Sequence, residues 1–431
     1  MARVILGRVR AVLSTVIATV LATVLAAALI GGCRGPKNSG QGPYADKIAE
    51  TIPRLEQAVG LKFKRPPRVE MRTRSQVREF IEARFNEGPT GRELAGQEAA
   101  YKRLGMLPES LDTKALFTEL LTEQIVGFYD PRTKTLYVVE GLSPDIGSVT
   151  ITHELVHALQ DQYLNLDSVQ NADSDNDRRL AAQALLEGQA TYEHILLTLG
   201  GAPMMSRLPG GWDQIRSSIR DAQGSMPVLG RAPSLVQETL IFPYLSGAEF
   251  MRAFKERRAG ESPLSDVPVS TEQVLSPRAY FETRDAPTTI GLALRAGVTP
   301  IYSNNLGAFE TRLLLFEHLN DQGIAVRAAA GWDGDRYTVV RTPQGDGIAW
   351  LSVWDSAIDA AEFLDALRRT IERRFGAPNG AGRDGAAVTA RGRIVRAQAV
   401  EISGRPAVLW TDLPVGASPD VVDLSATTVR Q

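Results

Sequence analysis

Residues 150–159 read Thr-Ile-Thr-His-Glu-Leu-Val-His-Ala-Leu and set His153, Glu154 and His157 in an H-E-x-x-H spacing. On an α-helix, positions i and i+4 share a face, so the two imidazoles can grip one divalent ion. Glu154 lies about 100° round the helix from His153, beside such an ion and not on it. There it can take a proton from a metal-activated water, since zinc lowers the pKa of a water to about 7. Apart from the motif, these ten residues contain no charge and no proline, as a buried helix requires. With four histidines in 431 residues, the pentapeptide arises by chance in about one such chain in 500, which makes it an informative signal.

A catalytic zinc takes three protein ligands and keeps one position open. The sequence after His157 lacks an HxxGxxH continuation, which excludes a metzincin, and one cysteine excludes a Cys-rich zinc site. Downstream, Ala184-Leu-Leu-Glu-Gly-Gln-Ala-Thr191 carries Glu187 as a lone acid in an apolar stretch. A charge there is costly unless it is paired or bound to a metal. Glu187 is the expected third ligand, and Gly188 beside it would let two helices approach closely. His194, two turns further on and near the same face, is its rival. Glu193 is expected to point elsewhere, into solvent. Asp161, four residues after His157, could accept the second ring N–H of that histidine, or be an ordinary surface acid. Asp173, Asp175 and Asp177 lack the Glu that an EF-hand needs at its twelfth position, and Asp177 reads as a helix cap.

Around this centre the pattern is α+β. Helical spacing covers Ala45–Val59 and residues 116–126, 148–163, 177–199 and 237–257; residues 68–73 alternate as a strand. Residues 127–139 place two β-rich runs about Asp130-Pro131, a hairpin whose second run precedes the motif. Beyond residue 295 the character changes. Residues 306–330 read as helical, hairpins turn near residues 343–347 and at Ser403-Gly404, and Asp355 is placed to cap an amphipathic helix. Asp333, Asp335 and Asp355 read as turn and cap residues, not ligands. The expected division is a mainly helical domain with a small mixed sheet over 44–295, and a separate α+β module over 296–431.

At the N-terminus, Arg3, Arg8 and Arg10 precede an uncharged run over residues 11–30, the form of an export signal. Ile30-Gly31-Gly32-Cys33 looks like a bacterial lipobox, and Cys33 is the only cysteine. Residues 1–33 are thus expected to be a lipoprotein signal or anchor helix and 34–43 a polar tether, leaving the body exported and held at an envelope membrane. With 48 basic and 50 acidic residues, the chain lacks the excess charge of a nucleic-acid binder.

His153-Glu154-x-x-His157 with Glu187 downstream resembles the gluzincin group of zincin metallopeptidases, to which thermolysin belongs. The 127–139 hairpin, Glu187-Gly188-x-Ala190 and Phe242-Pro243-Tyr244-x-x-Gly247 resemble a set of exported bacterial zincin-like proteins. The resemblance covers about 45–290 and, more loosely, 332–363. It implies one Zn²⁺ held by His153, His157 and Glu187, Glu154 as general base, and a sheet-edge strand that pairs with an extended peptide or protein substrate. Thr135–Val139 is the expected edge. Tyr244 takes the place of an oxyanion-stabilising residue. The 29 residues between His157 and Glu187 exceed thermolysin's gap, and Ser276 stands where relatives can carry His. The implied activity is zinc-dependent peptide-bond hydrolysis outside the cytoplasm. The alternatives are a non-catalytic, zinc-stabilised envelope lipoprotein and a metal-dependent amidase acting on a cell-wall amide.

Overall fold

The computed structural model describes residues 44–86, 88–170, 175–199, 201, 211–224, 226–376 and 387–430. The export signal, Cys33 and the tether lie outside the described residues, as does Asp173. Among the described residues no helix is long and apolar enough to cross a membrane.

The chain begins with α1 (Ala45–Val59), which buries Leu55 and Val59. Then come β1 (Arg68–Arg72), α2 (Arg74–Asn86), α3 (Gly88–Leu104) and α4 (Thr113–Gln124). The Asp112 side chain caps α4 by accepting from Ala115 N. β2 (Gly127–Asp130) and β3 (Thr135–Val139) form the predicted hairpin, with Lys134 at φ 54° in its turn. α5 (Pro144–Gln160) starts at a Ser143 cap with proline in its first turn, where no N–H is needed. The helices α6 (Leu166–Gln170), α7 (Asn176–Leu199), α8 (Gly211–Gly224), α9 (Ser234–Arg257), α10 (Thr271–Leu275) and α11 (Pro277–Phe281) complete the first part.

The second part runs β4 (Thr289–Gly291), β5 (Thr299–Asn304), α12 (Gly307–Leu319), α13 (Gln322–Ala328), β6 (Trp332–Thr342) and β7 (Gly345–Trp354). α14 (Ala357–Phe375), β8 (Ala387–Ala390), β9 (Arg393–Ile402), β10 (Arg405–Pro414) and β11 (Thr428–Arg430) follow. The helical run expected over 306–330 is broken at Asn320, which adopts φ 50° and ends α12. Ser356, not Asp355, caps α14, because its hydroxyl accepts from Asp359 N.

The architecture is mixed α+β, with three sheets among the described residues. β1-β3-β2 form one, β5-β6-β7-β10-β9-β8 an antiparallel second, and β11-β4 a small third. The first sheet corrects an expectation. β1 pairs parallel to β3, Arg68 against Thr135 through Arg72 against Val139, so Thr135–Val139 is the central strand. All five of its residues are buried, as a strand paired on both sides requires. The edges of this sheet belong to β1 and β2.

Two hydrophobic clusters set α5 and α7 in place. Leu136 and Val138 of the sheet pack on Ile151 and Leu155 of α5. Leu180 and Leu185 of α7 pack on Phe250 and Phe254 of α9. Each such side chain contributes about 1.5–3 kcal/mol when fully buried. A larger cluster runs from Phe85 and Leu104 through Tyr244 to Trp332, Trp350, Phe363 and Trp410, so both parts share one core. The close approach expected at Gly188 is present: Gly188 of α7 lies against Gly247 of α9, and a Cβ on either would strike backbone of the opposite helix. This contact fixes the rotation of α7, and so the direction of Glu187.

Candidate metal centre

α5 is buried continuously from Thr150 to Gln160. Its two motif imidazoles meet Glu187 of α7. His153 Nε2 and His157 Nε2 each stand 3.3 Å from Glu187 Oε2 and 3.1 Å from one another. Ligands bound to one tetrahedral ion at 2.0–2.1 Å stand roughly 3.4 Å apart, so this triangle has the dimensions of one face of such a site. The residues are 1%, 7% and 4% exposed, in the order His153, His157, Glu187. They lie close enough together to bind a metal ion.

The surrounding hydrogen bonds show that the triangle demands a cation. Gln160 Nε2 donates to Leu186 O at 3.0 Å and to Gln189 Oε1 at 2.9 Å. Its Oε1 therefore faces His157 Nδ1, 2.9 Å away, and takes that ring's N–H. In neutral His157 the Nε2 lone pair then points at a carboxylate oxygen. Such a contact repels unless positive charge sits in it. A proton can serve: burial pushes His157 down, but Glu187 outweighs it and holds the imidazole up at about 9. Burial likewise raises the Glu187 carboxyl, and the His157 and His153 imidazoles overcome it and bring it to about 2. A metal ion supplies the same positive charge, and the N₂O donor set fits one.

Gln160 takes the place expected for Asp161. Asp161 is the C-cap residue of α5, and its carboxylate turns to the hairpin, accepting from Tyr129 Oη at 2.8 Å and Lys134 Nζ at 2.6 Å. Gln160 is three residues from His157, on the same face, and its longer side chain reaches the ring. The i+3 position of a Gln was the sequence signal for this role.

Glu154 is fully buried. Its Oε2 accepts from the backbone N–H of Tyr129 in β2 at 2.9 Å, while Oε1 has no hydrogen-bond partner among the described residues. Burial pushes its carboxyl up to about 8. A buried, half-satisfied carboxylate costs stability, and such groups cluster where protons are moved. The Tyr129 contribution is a backbone one, invisible to any reading of residue types.

Tyr244 is fully buried, its ring stacked on His153 with centroids 6.3 Å apart and planes 29° apart. His194 stands edge-on to His153 at 6.4 Å between ring centroids and is outside the convergent trio. Its place seven residues past Glu187 carries it about 10 Å further along the helix axis. Burial, with His153 adding to it, lowers its pKa to about 3. Glu193, expected in solvent, is buried and pairs with Lys255 of α9 at 2.9 Å. Asp177, expected as a helix cap, is buried inside the first turn of α7 and accepts from Thr271 N at the start of α10, which Ser270 caps; Asp175 is the residue that accepts from Arg178 N at the start of α7.

Residues 298–427 match a family described as a Domain of unknown function (DUF8575). The match spans the six-stranded sheet and contains none of the His153, Glu154, His157 and Glu187 cluster. No curated protein and no solved structure matches the chain.

Proposed function

We propose that this chain is a zinc-dependent peptidase of zincin-like fold, anchored at a membrane outside the cytoplasm. One observation carries the reading: His153, His157 and Glu187 converge within 3.3 Å beside a buried Glu154 that keeps one oxygen unpartnered. His153, His157 and Glu187 would hold one Zn²⁺ per chain. When bound, zinc supplies Lewis acidity, polarising a carbonyl and acidifying a water. Glu154 would accept a proton from the attacking water on Oε1 and pass it to the leaving amine, while the Tyr129 N–H holds its other oxygen in place. Tyr244 packs on His153 and is the residue assigned to the oxyanion. The edge strand β2 faces the helix through Tyr129, whose N–H is taken by Glu154.

The burial of all three ligands favours a second reading, a closed zinc site that stabilises a non-catalytic envelope protein. Purified full-length chain separates the two. Zinc content is expected at one per chain in wild type and in Glu154→Gln. Peptide hydrolysis is expected in wild type and about 10²–10⁴-fold lower in the variant. Equal activity would remove Glu154 from its role. Bound zinc with no hydrolysis in either would leave the closed site standing.

A further inference from the structure

Where α5 ends, a pocket of about 330 Å³ opens between the β2–β3 hairpin and the loop that joins α1 to β1. Its charged lining is Lys64, Arg65, Lys134 and Asp161, three cations against one carboxylate. The carboxylate is already committed. Asp161, 1% exposed at its side chain, accepts from Lys134 Nζ, Tyr129 Oη and Leu166 N. Lys64 Nζ donates to Gln162 O and lies 4.3 Å over the Tyr163 ring. Arg65 is different: its guanidinium has no hydrogen-bond or ion-pair partner among the described residues.

Its backbone, by contrast, is held tightly. The Gln162 amide accepts from Lys64 N at 2.7 Å and from Arg65 N at 3.1 Å, and donates to Arg65 O at 2.8 Å. Pro66 and Pro67 follow and line the same pocket, restricting the chain on the other side. Arg65 is thus an exposed, surplus cation rooted on a fixed backbone at a concave site, available to an anion.

Tyr129 joins this pocket to the metal centre. Its N–H bonds Glu154, and its phenol bonds Asp161 at the pocket wall. One tyrosine side chain spans about two residues of extended peptide. We propose that the pocket receives a carboxylate of the substrate, carried within about three residues of the scissile bond, with Arg65 as its main partner. This rests on the peptidase reading of the α5–α7 site and names the substrate class that reading leaves open.

The test uses short labelled peptides of alanine, leucine and glycine with amidated C-termini, each carrying Glu or Gln near the cleavage site. A third set carries Gln and a free C-terminal carboxylate. On zinc-loaded full-length wild type, Glu is expected to lower KM about tenfold relative to Gln. In Arg65→Ala that preference collapses through KM, with kcat for the Glu peptide retained, and Arg65→Lys recovers part of it. High salt narrows it in wild type. Preference for the free-terminus set alone would assign the carboxylate to the chain end, still at Arg65. Equal KM across all sets in wild type, or a preference that survives Arg65→Ala, overturns the proposal while peptide hydrolysis stands. If no peptide is cleaved, the peptidase reading fails, and fluorescence anisotropy of the same peptides on Glu154→Gln reads the pocket directly. Carboxylate-dependent binding lost in Arg65→Ala then supports it, and its absence overturns it.

Discussion

Two buried carboxylate sites in this molecule are opposites. In the six-stranded sheet, Asp335 accepts four N–H groups: Leu306 N and Gly307 N at 2.8 Å, Trp332 Nε1 at 3.2 Å and Trp350 Nε1 at 2.9 Å. Burial still raises its carboxyl above the ordinary value, against the pull of these donors, and it ties the start of α12 to β6 and β7. Between α5 and α7, Glu187 faces two imidazole nitrogens, one of which has its ring proton directed elsewhere, and Glu154 has a single backbone donor. Saturation with donors marks a carboxylate that builds structure. Shortage of donors at equal burial marks one that awaits a cation or a proton.

Removing each carboxylate tests the contrast. Asp335→Ala leaves four buried N–H groups without an acceptor and should cost about 3 kcal/mol or more. Denaturant unfolding reads this, and zinc content per folded chain should stay at that of wild type. Glu187→Ala should act first on the metal, weakening zinc binding more than about 100-fold, beyond the effect of an outer partner. It also removes the carboxylate that holds the His157 proton when no metal is bound, so its metal-free form should melt below metal-free wild type at neutral pH. Competition with a chelator and melting curves measure both, and tight zinc binding in this variant would return His194 to consideration. Gln160→Ala removes the acceptor that orients His157 and should weaken zinc about 10–100-fold, whereas Asp161→Ala should leave affinity nearly unaltered. The opposite order would reinstate Asp161.

Glu272 is an intermediate case, half-buried and surrounded by acids. Burial, then Asp285, Asp355 and Asp333, push it up to about 8. The folded chain thus keeps a proton that the unfolded chain releases above the ordinary value of 4.5. Stability is full below that value and falls as pH rises toward 8. Melting temperatures of Glu272→Gln should decline less across this window than those of wild type, a smaller effect than the others. Parallel profiles would show that Glu272 does not carry the proton.

The histidine pair and the candidate third ligand were each legible because each signal is a local matter. His153 and His157 share a face through the helix period alone, and Glu187 announced itself as one acid among apolar neighbours with a glycine beside it. The β2–β3 hairpin and the boundaries of α7 were legible for the same reason, since turn chemistry and periodicity act within a few residues. Four other features were not. Asp161 and Gln160 both follow His157 on the right face, and the choice between them depended on Tyr129 and Lys134 arriving from the hairpin. Thr135–Val139 became a central strand because the basic strand Arg68–Arg72 paired with it, and alternation names a strand without naming its neighbour. Glu193 is buried because Lys255 comes from α9 to meet it. Glu154 is held by a backbone N–H, which carries no residue signature at all. Covalent spacing and the turn of a helix determine which groups one element presents. Which of those groups are answered, and by what charge, was set when distant surfaces packed and shut out the water that would otherwise have answered them.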